Sequence, residues 1–216
     1  MQIVEWAVLG LALLLGISYL RLTGDPPGPR RTLFKVLPIA LLLLYALLAG
    51  GPAWLLAALA LSALGDACLA YEGEAAFLSG LVSFLMAHVA YCLLFFAPAD
   101  SSLISGEPWR LAVALFLVAA TTALVIVLWR PAGKLAPAVA LYGATIVSMA
   151  LLALSTGLTI PFIGAALFLG SDMLLSLQTF LVAKGSRWRR PLSLGVWTTY
   201  FAAQFLLTVS LVSFAG

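Results

Sequence analysis

An all-helical integral membrane protein with eight transmembrane helices is the fold class this sequence predicts, and three observations carry it. Hydrophobic residues make up 64% of the chain and charged residues only 9%, against roughly half and a quarter in soluble domains. The apolar residues gather into eight runs near bilayer-spanning length, separated by turn-forming residues. Basic residues collect in alternate loops. A soluble fold has too little interior to hide this much apolar surface, and backbone polar groups in lipid must be satisfied within helices. Residues 1–216 are therefore read as a single transmembrane domain.

The first run, 3–20, follows Met1-Gln2-Ile3-Val4-Glu5, which lacks the basic stretch of a cleavable signal. No small-residue cleavage site follows it, so this run is expected to remain as span one. Gly24-Asp25-Pro26-Pro27-Gly28-Pro29 breaks the chain before span two at 35–49, and Gly50-Gly51-Pro52 before span three at 53–71. Glu72-Gly73-Glu74 leads into span four at 75–97, and the polar stretch from Asp100 to Pro108 into span five at 109–129. Pro131-Ala132-Gly133 precedes span six at 135–154, Ser155-Thr156-Gly157 span seven at 161–183, and Gly185-Ser186 span eight at 191–214. Pro38, Pro137 and Pro161 fall near span starts, where proline is tolerated.

Charge sets the expected orientation. The odd-numbered loops hold Arg21, Arg30, Arg31, Lys35, Arg130, Lys134, Lys184, Arg187, Arg189 and Arg190, whereas the even-numbered loops hold only Arg110. Short basic loops stay cytoplasmic, so both termini are expected on the non-cytoplasmic side, as in a multi-pass protein of a bacterial inner membrane. Trp54, Trp109, Trp129 and Trp188 lie near span ends, where interfacial anchors belong. Because the basic residues are scattered over loops and form no single patch, the net charge of +3 reports topology and does not point to nucleic acid. Cys68 and Cys92 lie inside apolar spans without a metal-ligand spacing and read as small core residues.

A faint internal repeat is present. Lys35-Val36-Leu37-Pro38 opens span two as Lys134-Leu135-Ala136-Pro137 opens span six, and Leu64-Gly65-Asp66-Ala67 in span three parallels Gly170-Ser171-Asp172-Met173 in span seven. The paired spans run the same way, which predicts two parallel-related four-helix halves.

Asp66, Asp172 and His88 are the titratable residues placed at bilayer depth, where charge is expensive and therefore a functional candidate by default. At about 1.5 Å per residue, Asp66 lies roughly 20 Å and Asp172 roughly 17 Å from the outer ends of their spans. Matched depth predicts one shared cavity. Tyr142, Tyr200 and Gln204 fall in the same zone and offer hydroxyl and amide partners. His88, on an oppositely running span, comes out in the outer half, apart from the aspartates. Two carboxyls in one desolvated pocket cannot both ionise cheaply, so one is expected to keep its proton, which supplies the parts of a general acid and a general base. The alternative is that each aspartate only hydrogen-bonds neighbouring helices. No G-x-S-x-G elbow is present, and Asp66, Asp172 and His88 lack an HExxH-type spacing, so neither serine chemistry nor a metal is expected. Lys35 reads as a snorkelling residue, with phosphate binding as a second reading.

Several motifs together resemble a known family. They are Lys35-Val36-Leu37-Pro38, Ser62-Ala63-Leu64-Gly65-Asp66-Ala67-Cys68-Leu69, Phe84, Ala87-His88 and Tyr91 in the first part of the chain. Ala140-Leu141-Tyr142-Gly143, Ser148-Met149, Gly164-Ala165-Ala166-Leu167-Phe168, Ser171-Asp172 and Thr199-Tyr200-Phe201-Ala202-Ala203-Gln204-Phe205-Leu206 follow in order. The pattern is similar to that of the lysoplasmalogenase, or YhhN-like, membrane proteins. That resemblance implies an eight-span, metal-independent enzyme without cofactor that hydrolyses the vinyl-ether bond of lysoplasmalogens to a fatty aldehyde and glycerophosphocholine or glycerophosphoethanolamine. It implies Asp66 and Asp172 as the catalytic pair, with His88, Tyr91, Tyr142, Tyr200, Gln204, Lys35 and Ser62 as pocket residues. The expected partners are a lysophospholipid or ether-lipid substrate and membrane lipids. The rival reading is a small proton-coupled transporter, for which paired midplane aspartates are equally suited, although spans broken by mid-helix Gly/Pro pairs are not expected here.

Overall fold

The computed structural model describes residues 2–213. Its elements are α1 (Gln2–Tyr19), α2 (Pro29–Leu48), α3 (Ala53–Leu69), α4 (Glu74–Phe96), the short α5 (Ser102–Gly106), α6 (Pro108–Leu128), a 3₁₀ turn at Gly133–Leu135, α7 (Ala136–Ser155), α8 (Thr159–Phe180) and α9 (Arg189–Val212). All of the expected spans are helices, and among the described residues there is no strand. The last residue of the expected eighth span, 214, lies outside the described residues. Seven helices are long and apolar enough to cross a bilayer, which makes this a multi-pass membrane protein. The exception among the long helices is α3, whose 17 residues extend about 26 Å at the usual helical rise.

One boundary is corrected in a way that matters for the site. α2 starts at Pro29, six residues before the apolar run. Proline at the first helical position needs no N–H partner, and Arg30 and Arg31 can extend a helix past the hydrocarbon. Pro38 therefore sits inside α2 and not near its start, whereas Pro137 and Pro161 do lie in first turns. The stretch from Asp100 to Pro108 is also not wholly irregular: α5 forms there, with the Asp100 Oδ1 accepting from the Ser102 N–H at 2.9 Å. Nearby, Arg110 Nε donates to Glu107 at 2.9 Å and holds that carboxyl below the usual range.

Between lipid-facing helices there is little hydrophobic drive, so close approach relies on small residues. A Cβ at Gly65 would lie 2.6 Å from the Phe84 ring, one at Gly16 2.3 Å from Phe201, and one at Gly164 2.8 Å from Leu207. These contacts lock α3 to α4, α1 to α9 and α8 to α9. Trp197 adds a bond from its indole N–H to the Gly16 carbonyl at 2.8 Å. The first four helices meet the later ones where α4 packs on α7 and α2 on α9. At that junction Phe168 is fully buried, edge-on to Phe84, His88, Tyr91 and Tyr200. Leu115, Phe116, Ile126 and Val127 of α6 face outward, as does each of Trp54, Trp109, Trp129 and Trp188 near a helix end.

Candidate active site

The last turn of α3 carries Asp66, buried at 1% exposure beneath the Gly65–Phe84 contact. Two helices serve it. From α2, Lys35 Nζ reaches Asp66 Oδ1 at 3.0 Å. From α9, the Tyr200 hydroxyl donates to Asp66 Oδ2 at 2.6 Å. Both carboxylate oxygens are thus engaged, and a largely buried cation compensates the charge.

Asp172, in the middle of α8, has a different setting. The Tyr142 hydroxyl of α7 donates to its Oδ2 at 2.5 Å. His88 Nε2 of α4 approaches the same oxygen to 3.7 Å, too far for a direct hydrogen bond. No Lys or Arg lies within 4.0 Å of Asp172 among the described residues.

Both aspartates line one cavity of about 570 Å³, together with Lys35, Tyr200 and Trp197. It runs to the end of the bundle where Thr23, Tyr71, Glu72 and Lys184 lie, and Arg31 and Arg189 are also on its wall. A second, small and mainly apolar cavity of about 60 Å³ lies among α4, α6, α7 and α8, lined by residues such as Leu81, Leu124, Val125 and Ile146. Leu69, Phe77, Phe84, Asp172, Leu175 and Thr179 belong to both walls. Asp172 is the acidic residue at this junction.

The sequence expectation of one shared cavity corresponds to this arrangement. The placement of His88 apart from the aspartates is corrected. The depth count follows Cα positions, but side chains lean toward the N-terminus of their helix. With α4 and α8 running oppositely, His88 and Asp172 lean toward each other and the gap closes. The carboxyls are not partnered to one another: each takes its own tyrosine. Among the described residues, no three His, Cys, Asp or Glu side chains gather as a metal site would need.

Other sequence candidates fall behind the cavity walls. The Tyr91 hydroxyl donates to Gln204 Oε1 at 2.7 Å, with both residues fully buried. Ser62 Oγ, Gln204 Nε2 and both His88 ring nitrogens are buried without a hydrogen-bond partner among the described residues. None of these four residues lines either cavity. Sequence reasoning missed Arg31, Arg189, Gln178 and Trp197. For Arg31 the signal was present, since it stands four residues before Lys35 and shares its helix face once α2 begins at Pro29.

The profile of the YhhN family matches residues 30–211. The chain is 34% identical to lysoplasmalogenase TMEM86B of Homo sapiens over 157 residues, which are 71% of this chain and 61% of the relative. It is 33% identical over 193 residues to lysoplasmalogenase TMEM86B of Sus scrofa, 86% of this chain and 77% of the relative. It is 29% identical over 218 aligned positions to a lysoplasmalogenase of Mycobacterium tuberculosis, 94% of this chain and 80% of the relative. The chain spans less than two thirds of the human relative's length. No solved structure matches it.

Proposed function

This chain belongs to the YhhN family, and from that premise we propose that it is a membrane-embedded hydrolase of the vinyl-ether bond of lysoplasmalogen. The products are a fatty aldehyde and glycerophosphocholine or glycerophosphoethanolamine. The observation that carries this reading is the position of Asp172 on the wall common to a polar and an apolar cavity, with Asp66 on the polar side. In the substrate the vinyl ether likewise joins a polar headgroup to a hydrocarbon chain. Lysoplasmalogenase relatives support the same substrate and disfavour the transporter.

In this scheme Asp172 is the acid and Asp66 the base. The Lys35 ammonium at 3.0 Å favours an ionised Asp66. Asp172, beside an apolar chamber without a neighbouring Lys or Arg, is cheaper to keep neutral. Asp172 gives its proton to the enol-ether carbon remote from oxygen, using the double-bond electrons and leaving an oxocarbenium ion at the oxygen-bearing carbon. Water adds to that carbon while Asp66 takes its proton. The hemiacetal then loses its hydroxyl proton to the Asp172 carboxylate as the carbon–oxygen bond to glycerol breaks, and Asp66 returns its proton to the departing alkoxide. The net reaction consumes one water and restores both carboxyls. No metal or cofactor takes part. Tyr142 and Tyr200 orient the carboxyls, Lys35 fixes Asp66, and Ser62, His88, Tyr91 and Gln204 shape the wall from behind.

The membrane arrangement belongs to the same proposal. α3 crosses as a short eighth span, the two halves are parallel repeats, and both termini face away from the cytoplasm in a bacterial inner membrane. The polar cavity then opens on the cytoplasmic side, to which the basic loops belong. Purified protein in detergent, incubated with lysoplasmalogen, is expected to release aldehyde stoichiometrically with glycerophospholipid headgroup. Absence of aldehyde, with lipid moved across proteoliposomes instead, would transfer the assignment to the transporter.

A further inference from the structure

We infer that Arg31 and Arg189, at the mouth of the polar cavity, form a subsite for the phosphodiester of a lysophospholipid headgroup; this rests on the hydrolase reading for the rest of the ligand. The cavity wall carries four cations, Arg31, Lys35, Lys184 and Arg189, and three carboxylates, Asp66, Glu72 and Asp172. Lys35 is taken by Asp66 at 3.0 Å and Lys184 by Glu72 at 3.6 Å. Arg31 and Arg189 have no carboxylate within 4.0 Å among the described residues. The cavity mouth therefore holds two arginines that lack an anion.

Local structure shows that these are not only topology residues. An arginine that merely snorkels carries its guanidinium out to water. Arg31 as a whole is half-buried, and its Nε lies out of solvent without a hydrogen-bond partner among the described residues, an arrangement that is costly until an acceptor arrives. Arg189 is held in place. Its Nη1 donates to the Val182 carbonyl at 3.1 Å. Gln178 Nε2 in turn donates to the Arg189 carbonyl at 2.7 Å and to Ser193 Oγ at 2.6 Å, tying the start of α9 to α8. The planar guanidinium fork suits two phosphate oxygens better than an ammonium does.

Spacing agrees with the chemistry. Arg31 precedes Lys35 by four residues on α2, a rise of about 6 Å along the helix axis. In a lysoplasmalogen, five bonds separate the vinyl-ether oxygen from phosphorus, about 6 Å when extended, since three backbone bonds cover about 3.6 Å. A phosphate at Arg31 therefore leaves the ether at the level of Lys35 and the Asp66 it holds. The subsite thereby measures the headgroup against the catalytic pair.

The test is equilibrium binding, which needs no turnover. Purified protein in detergent is titrated with 1-alkyl-glycerophosphocholine, which has no vinyl ether to cleave, and with 1-alkylglycerol, while the fluorescence of cavity-lining Trp197 and its fellow tryptophans is followed. The wild-type protein is expected to bind the phosphodiester ligand about tenfold or more tightly, as charge-assisted hydrogen bonds allow. The Arg31→Gln/Arg189→Gln double variant is expected to lose that preference, and Arg31→Lys to keep part of it. Equal affinities in the wild type would overturn the subsite without any variant, and so would a double variant that retains the wild-type preference. Glycerophosphocholine is expected to displace the bound ligand better than inorganic phosphate does; equal displacement would overturn the headgroup assignment in favour of free phosphate. Aldehyde release from lysoplasmalogen, measured on the same preparation, reads the hydrolase separately.

Discussion

Asp66 and Asp172 stand in similar short motifs on α3 and α8, and each takes one partner from the helix just before its own. For Asp66 that partner is the Lys35 ammonium of α2, and for Asp172 it is the Tyr142 hydroxyl of α7. Lys134, which the repeat would align with Lys35, is exposed. One aspartate therefore has a cation within contact and faces the polar cavity alone, while the other has a neutral donor and also borders the apolar one. In the proposed scheme the repeat supplies two carboxyls, and the divergence of their neighbours separates an acid from a base.

Breaking either carboxyl should have the largest effect. Asp66→Asn and Asp172→Asn are each expected to lower kcat for aldehyde release by about a thousandfold, the range of general acid–base catalysis. The two variants should differ in stability. Asp66→Asn leaves the largely buried Lys35 without its counter-ion and is expected to lose about 3 kcal/mol in denaturant unfolding. Asp172→Asn still accepts from Tyr142 and should lose less than about 1 kcal/mol. Removing both partners sharpens the contrast: Lys35→Met/Asp66→Asn should recover most of the lost stability, because no buried charge is left unpaired, yet remain inactive.

Smaller effects follow at the supporting residues. Tyr142→Phe and Tyr200→Phe each delete one hydroxyl donor and are expected to lower kcat about tenfold, with about 1 kcal/mol of stability. Gly65→Val places methyl groups against Phe84, whose ring is already 2.6 Å from an added Cβ. A loss of about 2 kcal/mol is expected from overpacking, together with reduced activity through displacement of Asp66. A Gly65 variant of unchanged stability and activity would show that α3 is not held by this contact.

The long helices were legible because apolar runs and turn residues alternate along the chain. The start of α2 was not, since Arg30 and Arg31 read as loop by hydropathy although Pro29 is an ordinary helix opener. That boundary concealed the interior position of Pro38 and the shared face of Arg31 and Lys35. Asp66 and Asp172 were legible as acidic residues within apolar runs, and helix rise alone pointed to the cavity they share. Their unlike partners were not. Tyr200 is 134 residues from Asp66, and Tyr142 30 from Asp172; such pairings come from helix packing, on which a single sequence carries no periodic signal. His88 was misplaced because counting along the axis ignores the lean of side chains on opposed helices.

The asymmetry between the two carboxyls has a direct spectroscopic signature, the carbonyl stretch of a protonated carboxylic acid in the infrared. At neutral pH the purified protein is expected to show such a band, lost in Asp172→Asn and retained in Asp66→Asn. A band that survives Asp172→Asn, or one that disappears with Asp66→Asn alone, would contradict the assignment of Asp172 as the proton donor.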